Sequence, residues 1–266
     1  MSTAALSIDL NGDVGEWDST AADATARFRA DAALAASLTS LNVACGGHSG
    51  DAGSMRALAC LARDRGLALG AHPSFPDRSG FGRRPLGLPL ADIERLVVEQ
   101  VGELVRIAAE EGIGVGHVKP HGALYNLAAT DAAVADTIAR GVARVNPELV
   151  LVALSGSASI DAGARAGLAT ASEVFSDRAY ESDGSLSPRT RAGSLLTDSD
   201  AAAARLVRMI RDGIVISRQG TILRVTAKTA CIHGDTPGSA DFARRLRAAL
   251  STAGIGTAAI DVARLA

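Results

Sequence analysis

The chain has 266 residues, of which 47% are hydrophobic, 21% charged and only 3% aromatic, with a formal net charge of −2. That balance, with a pI ≈ 6.2, leaves no electrostatic footprint for nucleic acid, and no apolar run approaches the roughly 20 residues that span a bilayer. Three cysteines (Cys45, Cys60, Cys231) without metal-ligand spacing argue against a disulfide framework, and the N-terminus has no basic leader, so a cytoplasmic location is expected.

Leu6 to Leu10 reads as a first strand running into DLNGDVGE, where extended geometry puts Asp9, Asn11 and Asp13 on one face and Glu16 in the loop beyond. A helix from Ala21 to Leu38 leads to LTSLNVACGGHSGD, a short apolar strand that ends in glycines, His48 and Asp51. Helix from Gly53 to Arg65 precedes a strand ending at His72, then a long loop carrying Asp77, Arg78, Phe81, Arg83 and Arg84. Ile93, Val97, Val101, Leu104 and Ile107 recur at helical spacing between Leu90 and Glu110. IGVGHVK alternates like a strand, with His117 and Lys119 on one face, and His121 follows Pro120 where the strand opens. Helix Ala132 to Arg144, strand LVLVALSG and helix Ala158 to Ala166 come next. In LATASEVFSDRAY, Glu173, Phe175 and Asp177 alternate, and ESDGSLSPRTRAGS reads as a second long loop. Helix Asp200 to Arg211, the extended segment GTILRVTAKTACIHGD with Cys231, His233 and Asp235 alternating, and helix Ser239 to Ala253 complete the chain.

Strand and helix thus alternate about seven times with no break in composition, which predicts one α/β domain over residues 1–266 with parallel strands and right-handed crossovers. The count favours a closed or nearly closed (β/α) barrel of seven strands; an open doubly wound sheet is the alternative. All five histidines fall at or after predicted strands and none on a predicted helix, as do Asp13, Asp51, Asp77, Asp177 and Asp235. In parallel α/β folds that edge is where binding and catalysis are assembled. The densest stretch is HVKPHGALYN, with two of the histidines and one of only two lysines.

Two chemistries fit such a mouth equally: a divalent metal held by carboxylate and neutral imidazole, or metal-free acid/base work with a lysine beside the developing oxyanion. Nothing of the HExxH type decides between them. GGHSGD lacks the spacing of a phosphate loop, LSGSAS is not a nucleophile elbow, and no cysteine has an activating pair nearby in sequence. Arg83, Arg84, Arg178 and Arg189 sit on mouth loops and have the planar fork that clamps a carboxylate or phosphate. Trp17 and Met55 read as packing residues.

Six blocks in order, DLNGDVGE, SLNVACGGHSGD, GAHPSFPDRSGFGRR, HVKPHGALYN, EVFSDRAYESDGSLSPR and CIHGDTPGSA, resemble the LamB/YcsF family over Leu6 to Leu250. The resemblance implies a seven-stranded barrel similar to the glycoside hydrolase/deacetylase superfamily. It also implies ATP-dependent ring opening of 5-oxo-L-proline to L-glutamate, as one component of a 5-oxoprolinase beside two further subunits, B and C, with ATP and Mg²⁺ engaged through the complex. The number of copies of this chain in that assembly stays open. Carried over residue by residue, it marks Asp13, Lys119, His121, Asp177 and Asp235 as catalytic candidates. Asn11, Asn42, Arg84, His117, Asn126, Arg178 and His233 are the substrate-binding candidates, and Asp13, His48 and His72 the metal candidates. Asp9, Glu16, Asp51, Asp77 and Glu173 belong to the same blocks. The chain departs from the family at Gly12, where a cysteine is usual, and at Gly47, where a phenylalanine is usual; loss of that ring predicts a wider mouth. Two other readings fit these residues: a stand-alone metal-dependent amidohydrolase or deacetylase acting without ATP, and a non-catalytic substrate-binding subunit.

Overall fold

The computed structural model describes residues 6–233, 238–260 and 265, and at His233 the backbone alone. In chain order the elements are β1 (Ser7–Val14), α1 (Ala24–Ala35), β2 (Ser40–Ala44), α2 (Ala52–Arg65) and β3 (Ala68–His72). A 3-10 turn (Arg78–Gly80) follows, then α3 (Leu90–Glu110), β4 (Val115–Val118), α4 (Gly122–Thr130), α5 (Ala132–Val145), β5 (Val150–Leu154), α6 (Ala158–Arg165) and β6 (Thr170–Phe175). The chain continues through α7 (Ser199–Asp212), β7 (Ile214–Ile216), β8 (Ile222–Arg224), β9 (Thr229–His233), α8 (Ser239–Thr252) and β10 (Gly256–Thr257).

Strands β1 to β6 pair in sequence order, β6 pairs with β9, and β9 pairs with β1, all parallel. The sheet is therefore a closed barrel of seven strands, not the open alternative. β10 extends β1 at its start, and β7–β8 form a separate antiparallel hairpin. The stretch read as one extended segment before Asp235 thus divides: Ile222–Arg224 closes the hairpin, and only Thr229–His233 enters the barrel.

Alternation sorts the two faces of each strand. On β1 the even positions face outward: a Cβ on Gly12 would sit 2.4 Å from Leu38 Cδ1, so glycine there lets the end of α1 pack close against the strand. Ile8, Leu10 and Val14 join Leu34, Leu38 and Leu58 in the core between sheet and helices. Asp9, Asn11 and Asp13 point into the barrel. In register, Asn11 meets Ser40 and Cys231, and Asp13 meets Asn42 and His233. Many barrels fill this space with branched aliphatics; here a hydrogen-bonded polar stack fills it. Gly70 on β3 makes room for it, since a Cβ there would stand 2.0 Å from His117 Nε2.

Helix ends follow local chemistry. Asp51 caps α2 through a reciprocal pair with Ser54, and Asp131 and Asp198 accept from the first free amides of α5 and α7. Among the described residues no helix is long and apolar enough to cross a membrane.

Candidate active site

The strands end in a cavity of ≈ 420 Å³ at the C-terminal mouth of the barrel, lined among others by Asp13, Glu16, His72, Lys119, His121, Tyr125, Phe175 and Arg178. Its floor is the top of the polar stack. Lys119 Nζ, on a residue only 3% exposed, lies 3.0 Å from Asp13 Oδ1, 2.9 Å from Glu173 Oε1, 3.1 Å from Asn11 Oδ1 and 2.9 Å from Cys231 Sγ. Burial disfavours the ammonium, but the carboxylates of Asp13 and Glu173 outweigh it and hold Lys119 well above the lysine range, so it stays charged. The Cys231 thiol is pushed well up by burial and stays protonated, so it offers no nucleophile.

Below this layer Asn11 donates to Glu173 Oε1 (2.9 Å) and Thr229 Oγ1 (2.6 Å), and Asn42 donates to Asn11 Oδ1 (2.7 Å) and Asp13 Oδ1 (2.8 Å). His117 Nε2 lies 2.9 Å from Asn42 Oδ1, and Tyr125 donates to Glu173 Oε2 at 2.7 Å. Deeper still, Asp9 takes hydroxyls from Thr39, Ser40 and Thr229, and burial raises its pKa. The network satisfies its polar atoms largely from within, which fixes the orientation of Asp13 and Lys119 above it.

Beside Asp13 stands a cluster of imidazoles. His72 Nε2 is 3.5 Å from Asp13 Oδ2 and 2.9 Å from His121 Nδ1. The His48 and His121 rings stack at 3.7 Å between centroids, with a 4° interplanar angle, and His48 Nε2 is 3.1 Å from Glu16 Oε1. Burial and the neighbouring imidazoles push His48 down to about 2 and His121 well below the usual range, so both rings are neutral. The loop after β3 presses onto them: Gly82, at φ 63, runs where a Cβ would be 2.8 Å from His48 Cβ. Glu16, His48, His72 and His121 each offer one donor atom, all within 4.8 Å of one another, and form the metal-competent group among the described residues.

The positions singled out from the sequence separate into three sets. Asp13, Lys119, His121, His72, Asn126 and Arg178 line the cavity, Asn126 at its exposed rim. Asn11, Asn42, His117 and Glu173 are buried beneath it; as substrate-binding candidates the first three are corrected to supports, because their polar atoms are spent on one another. Arg84, Asp177 and Asp51 point elsewhere. Arg84, whose side chain is exposed, pairs with the buried Asp77 and is absent from the cavity lining, while Arg83, stacked 4.8 Å over Phe81, reaches the cavity instead. Asp177 lines a second cavity with Asp198 and Phe242, and Asp51 is a helix cap. The metal-competent group differs from the expected set: Glu16 and His121 stand with His48 and His72, while Asp13 has Oδ1 held by Lys119 and Asn42 and Oδ2 3.5 Å from His72 Nε2. Asp235 lies outside the described residues, as does the side chain of His233.

Gly47 does not widen the mouth. A Cβ there would meet Ser74 Oγ at 2.5 Å, Gln100 Oε1 at 2.7 Å and the Ser74 carbonyl at 2.8 Å. The Gln100 amide occupies that space, accepting from Ser74 N (3.0 Å) and donating to Ser74 O (2.8 Å). Tyr125, Ser74 and Gln100 escaped sequence reasoning; the last sits mid-helix, far from any motif. Trp17 and Met55 are core residues, as expected.

The pattern that defines the LamB/YcsF family matches residues 8–264. The chain is 44% identical over 254 residues to a protein from Heliobacterium modesticaldum named as the A subunit of 5-oxoprolinase, covering 96% of this chain and 98% of that one. It is 43% identical over 257 residues to the protein of the same name from Bacillus subtilis, covering 97% and 98%. The crystal structure of a lactam utilization protein from Thermus thermophilus superposes with a TM-score of 0.86 at 39% identity, covering 96% of this chain and 100% of that one. The family pattern over nearly the whole chain, the identity to these relatives and the superposition agree, and the chain belongs to the LamB/YcsF family.

Proposed function

We propose that this chain opens the ring of 5-oxo-L-proline to give L-glutamate, as the lactam-handling component of an ATP-dependent 5-oxoprolinase with two partner subunits. The names of its relatives support the substrate class. The observation that carries the chemistry is the pairing of Asp13 and Lys119 on the cavity floor, 3.0 Å apart, in a cavity that Arg178 also lines.

A five-membered lactam is poorly electrophilic. Transfer of the γ-phosphoryl of ATP (as its Mg²⁺ complex) to the lactam oxygen makes the ring carbon attackable, a step that this reading gives to the assembled complex. Water then adds to that carbon while Asp13 takes its proton, the carbon–nitrogen bond breaks, and the nitrogen leaves carrying a proton. A second water releases phosphate from the acyl phosphate, so two waters, ATP and the lactam become glutamate, ADP and phosphate. Asp13 is preferred over His121 as base, because His121 Nε2 is held by the Phe81 carbonyl at 2.9 Å and its Nδ1 faces the His72 ring, with Nε2 at 2.9 Å. Lys119 supplies fixed positive charge to the oxygens that become negative. Arg178 is 5% exposed and its buried Nε has no hydrogen-bond partner; it is the candidate clamp for the substrate carboxylate.

In the reconstituted complex, Asp13→Asn should lower glutamate release by about 10²–10⁴-fold with little change in KM, the scale of a lost general base. Arg178→Ala should act mainly on KM. Undiminished turnover of the Asp13 variant overturns the assignment. The histidine cluster favours a second reading, a stand-alone metal-dependent amidohydrolase, which hydrolysis of a small lactam or amide by this chain alone, without ATP, would select.

A further inference from the structure

We propose that Glu16, His48, His72 and His121 form a binding site for one zinc-class divalent metal ion, with Asp13 outside the ligand set. The hydrogen-bond directions carry this. His72 Nδ1 lies 2.6 Å from the Lys119 carbonyl oxygen, and His121 Nε2 lies 2.9 Å from the Phe81 carbonyl oxygen. A carbonyl only accepts, so each of those nitrogens carries the hydrogen. His48 Nδ1 is 2.9 Å from Ser74 Oγ, which also lies 3.0 Å from the Phe75 carbonyl; with the hydroxyl donated to that carbonyl, His48 Nδ1 is the donor to Ser74. With those three nitrogens turned to fixed partners, the remaining nitrogen of each ring, Nε2 of His48, Nε2 of His72 and Nδ1 of His121, is left for a ligand.

Those nitrogens converge. His72 Nε2 and His121 Nδ1 face each other at 2.9 Å, His48 Nε2 faces Glu16 Oε1 at 3.1 Å, and Glu16 Oε1 is 3.7 Å from His121 Nδ1. Lone pairs at such separations repel unless a cation lies among them. One divalent ion satisfies all four donors together. Ligands about 2.0–2.1 Å from a tetrahedral zinc stand roughly 3.3 Å apart, and the separations of 2.9, 3.1 and 3.7 Å straddle that value.

The surroundings have the form expected around a metal, where the far nitrogen of each ligating histidine is tied to a fixed acceptor. Two of the acceptors are themselves held. Ser74 is gripped by the Gln100 amide through both backbone groups. Phe81, which turns its carbonyl onto His121, is the non-glycine residue with positive φ (54°) among the described residues, a conformation that side chains adopt at a cost. Three imidazoles and a carboxylate suit zinc and its neighbours; magnesium and calcium prefer oxygen.

The test is metal binding by the full chain, without ATP, lactam or partner subunits, so it stands or falls apart from the proposed reaction. Protein stripped with a chelator and titrated with zinc chloride in a calorimeter should take up one equivalent per chain, and cobalt(II) should give the intense visible bands of a tetrahedral site. Glu16→Gln and Gln100→Ala should each weaken zinc about 10–100-fold, and His48→Ala should abolish stoichiometric uptake. Gln100 touches no ion, so its variant guards against His48→Ala failing to fold. Magnesium at equal concentration should not compete. No zinc or cobalt uptake by the stripped wild-type chain overturns the proposal. Uptake that is equal in wild type, Glu16→Gln and Gln100→Ala also overturns it, because the ion would then sit elsewhere.

Discussion

Replacing Lys119 by methionine tests whether the polar stack is held by one buried cation. The ammonium is the shared partner of Asp13 and Glu173, at 3.0 and 2.9 Å, and both carboxylates are almost wholly inaccessible. Methionine keeps most of the volume, so the loss is electrostatic: two acidic groups remain buried with no counter-charge. Removing one partner of a buried pair costs about 3–5 kcal/mol. In a chain of this size roughly 2–4 °C of melting temperature goes with each kcal/mol, so Tm should fall by about 6–20 °C. Calorimetry or circular dichroism reads this directly. Glu173→Gln neutralises one carboxylate and keeps an acceptor for Tyr125, so the Lys119→Met/Glu173→Gln double variant should melt above Lys119→Met alone. The coupling should exceed about 1 kcal/mol, within the range seen for residues in one network. A Lys119→Met chain that melts within about 2 °C of wild type, or losses that simply add, would refute the account of the floor.

Gly70→Ala places a methyl group where His117 Nε2 now lies, so denaturant midpoints should show a loss of at least about 1–3 kcal/mol, the scale of overpacking; wild-type stability would mean that His117 does not cross the barrel there. The Arg84 guanidinium holds Asp77 down to about 2, below its ordinary value of 3.8. Because the folded value is the lower one, the stability from this pair is fully present above 3.8 and is lost as pH falls towards 2. The stability gap between wild type and Asp77→Asn, measured by urea titration, should therefore be constant near neutrality and shrink in that acid window.

The alternation of strand and helix was legible because each strand is a short apolar run and helices such as α3 repeat apolar residues on one face. Closure of the barrel was legible only as a count; what closes it is the pairing of β9 with β1, which no local pattern records. α4 was missed because Pro120 and Gly122 look like the opening of a loop, yet Gly122 takes a left-handed turn (φ 57°) and helix follows at once. The site was legible in residue type but not in role. Alternation puts Asn11 and Asp13 on the same face, and depth along the barrel axis, which sequence does not state, decides that Asp13 lines the cavity while Asn11 supports it. Arg83 and Arg84 are neighbours in sequence, and only the Asp77 side chain determines which of them turns outward. Gly47 looked like a missing side chain at the mouth, whereas a glutamine 53 positions later fills its place.

The proposed reaction is tested most directly by leaving one component out. Glutamate release from 5-oxo-L-proline with MgATP would be measured for this chain with both candidate partner subunits, and for each mixture lacking one of the three. The account predicts release only in the complete mixture, abolished when this chain is omitted or carries Asp13→Asn. Full release from the two partners without this chain would contradict it.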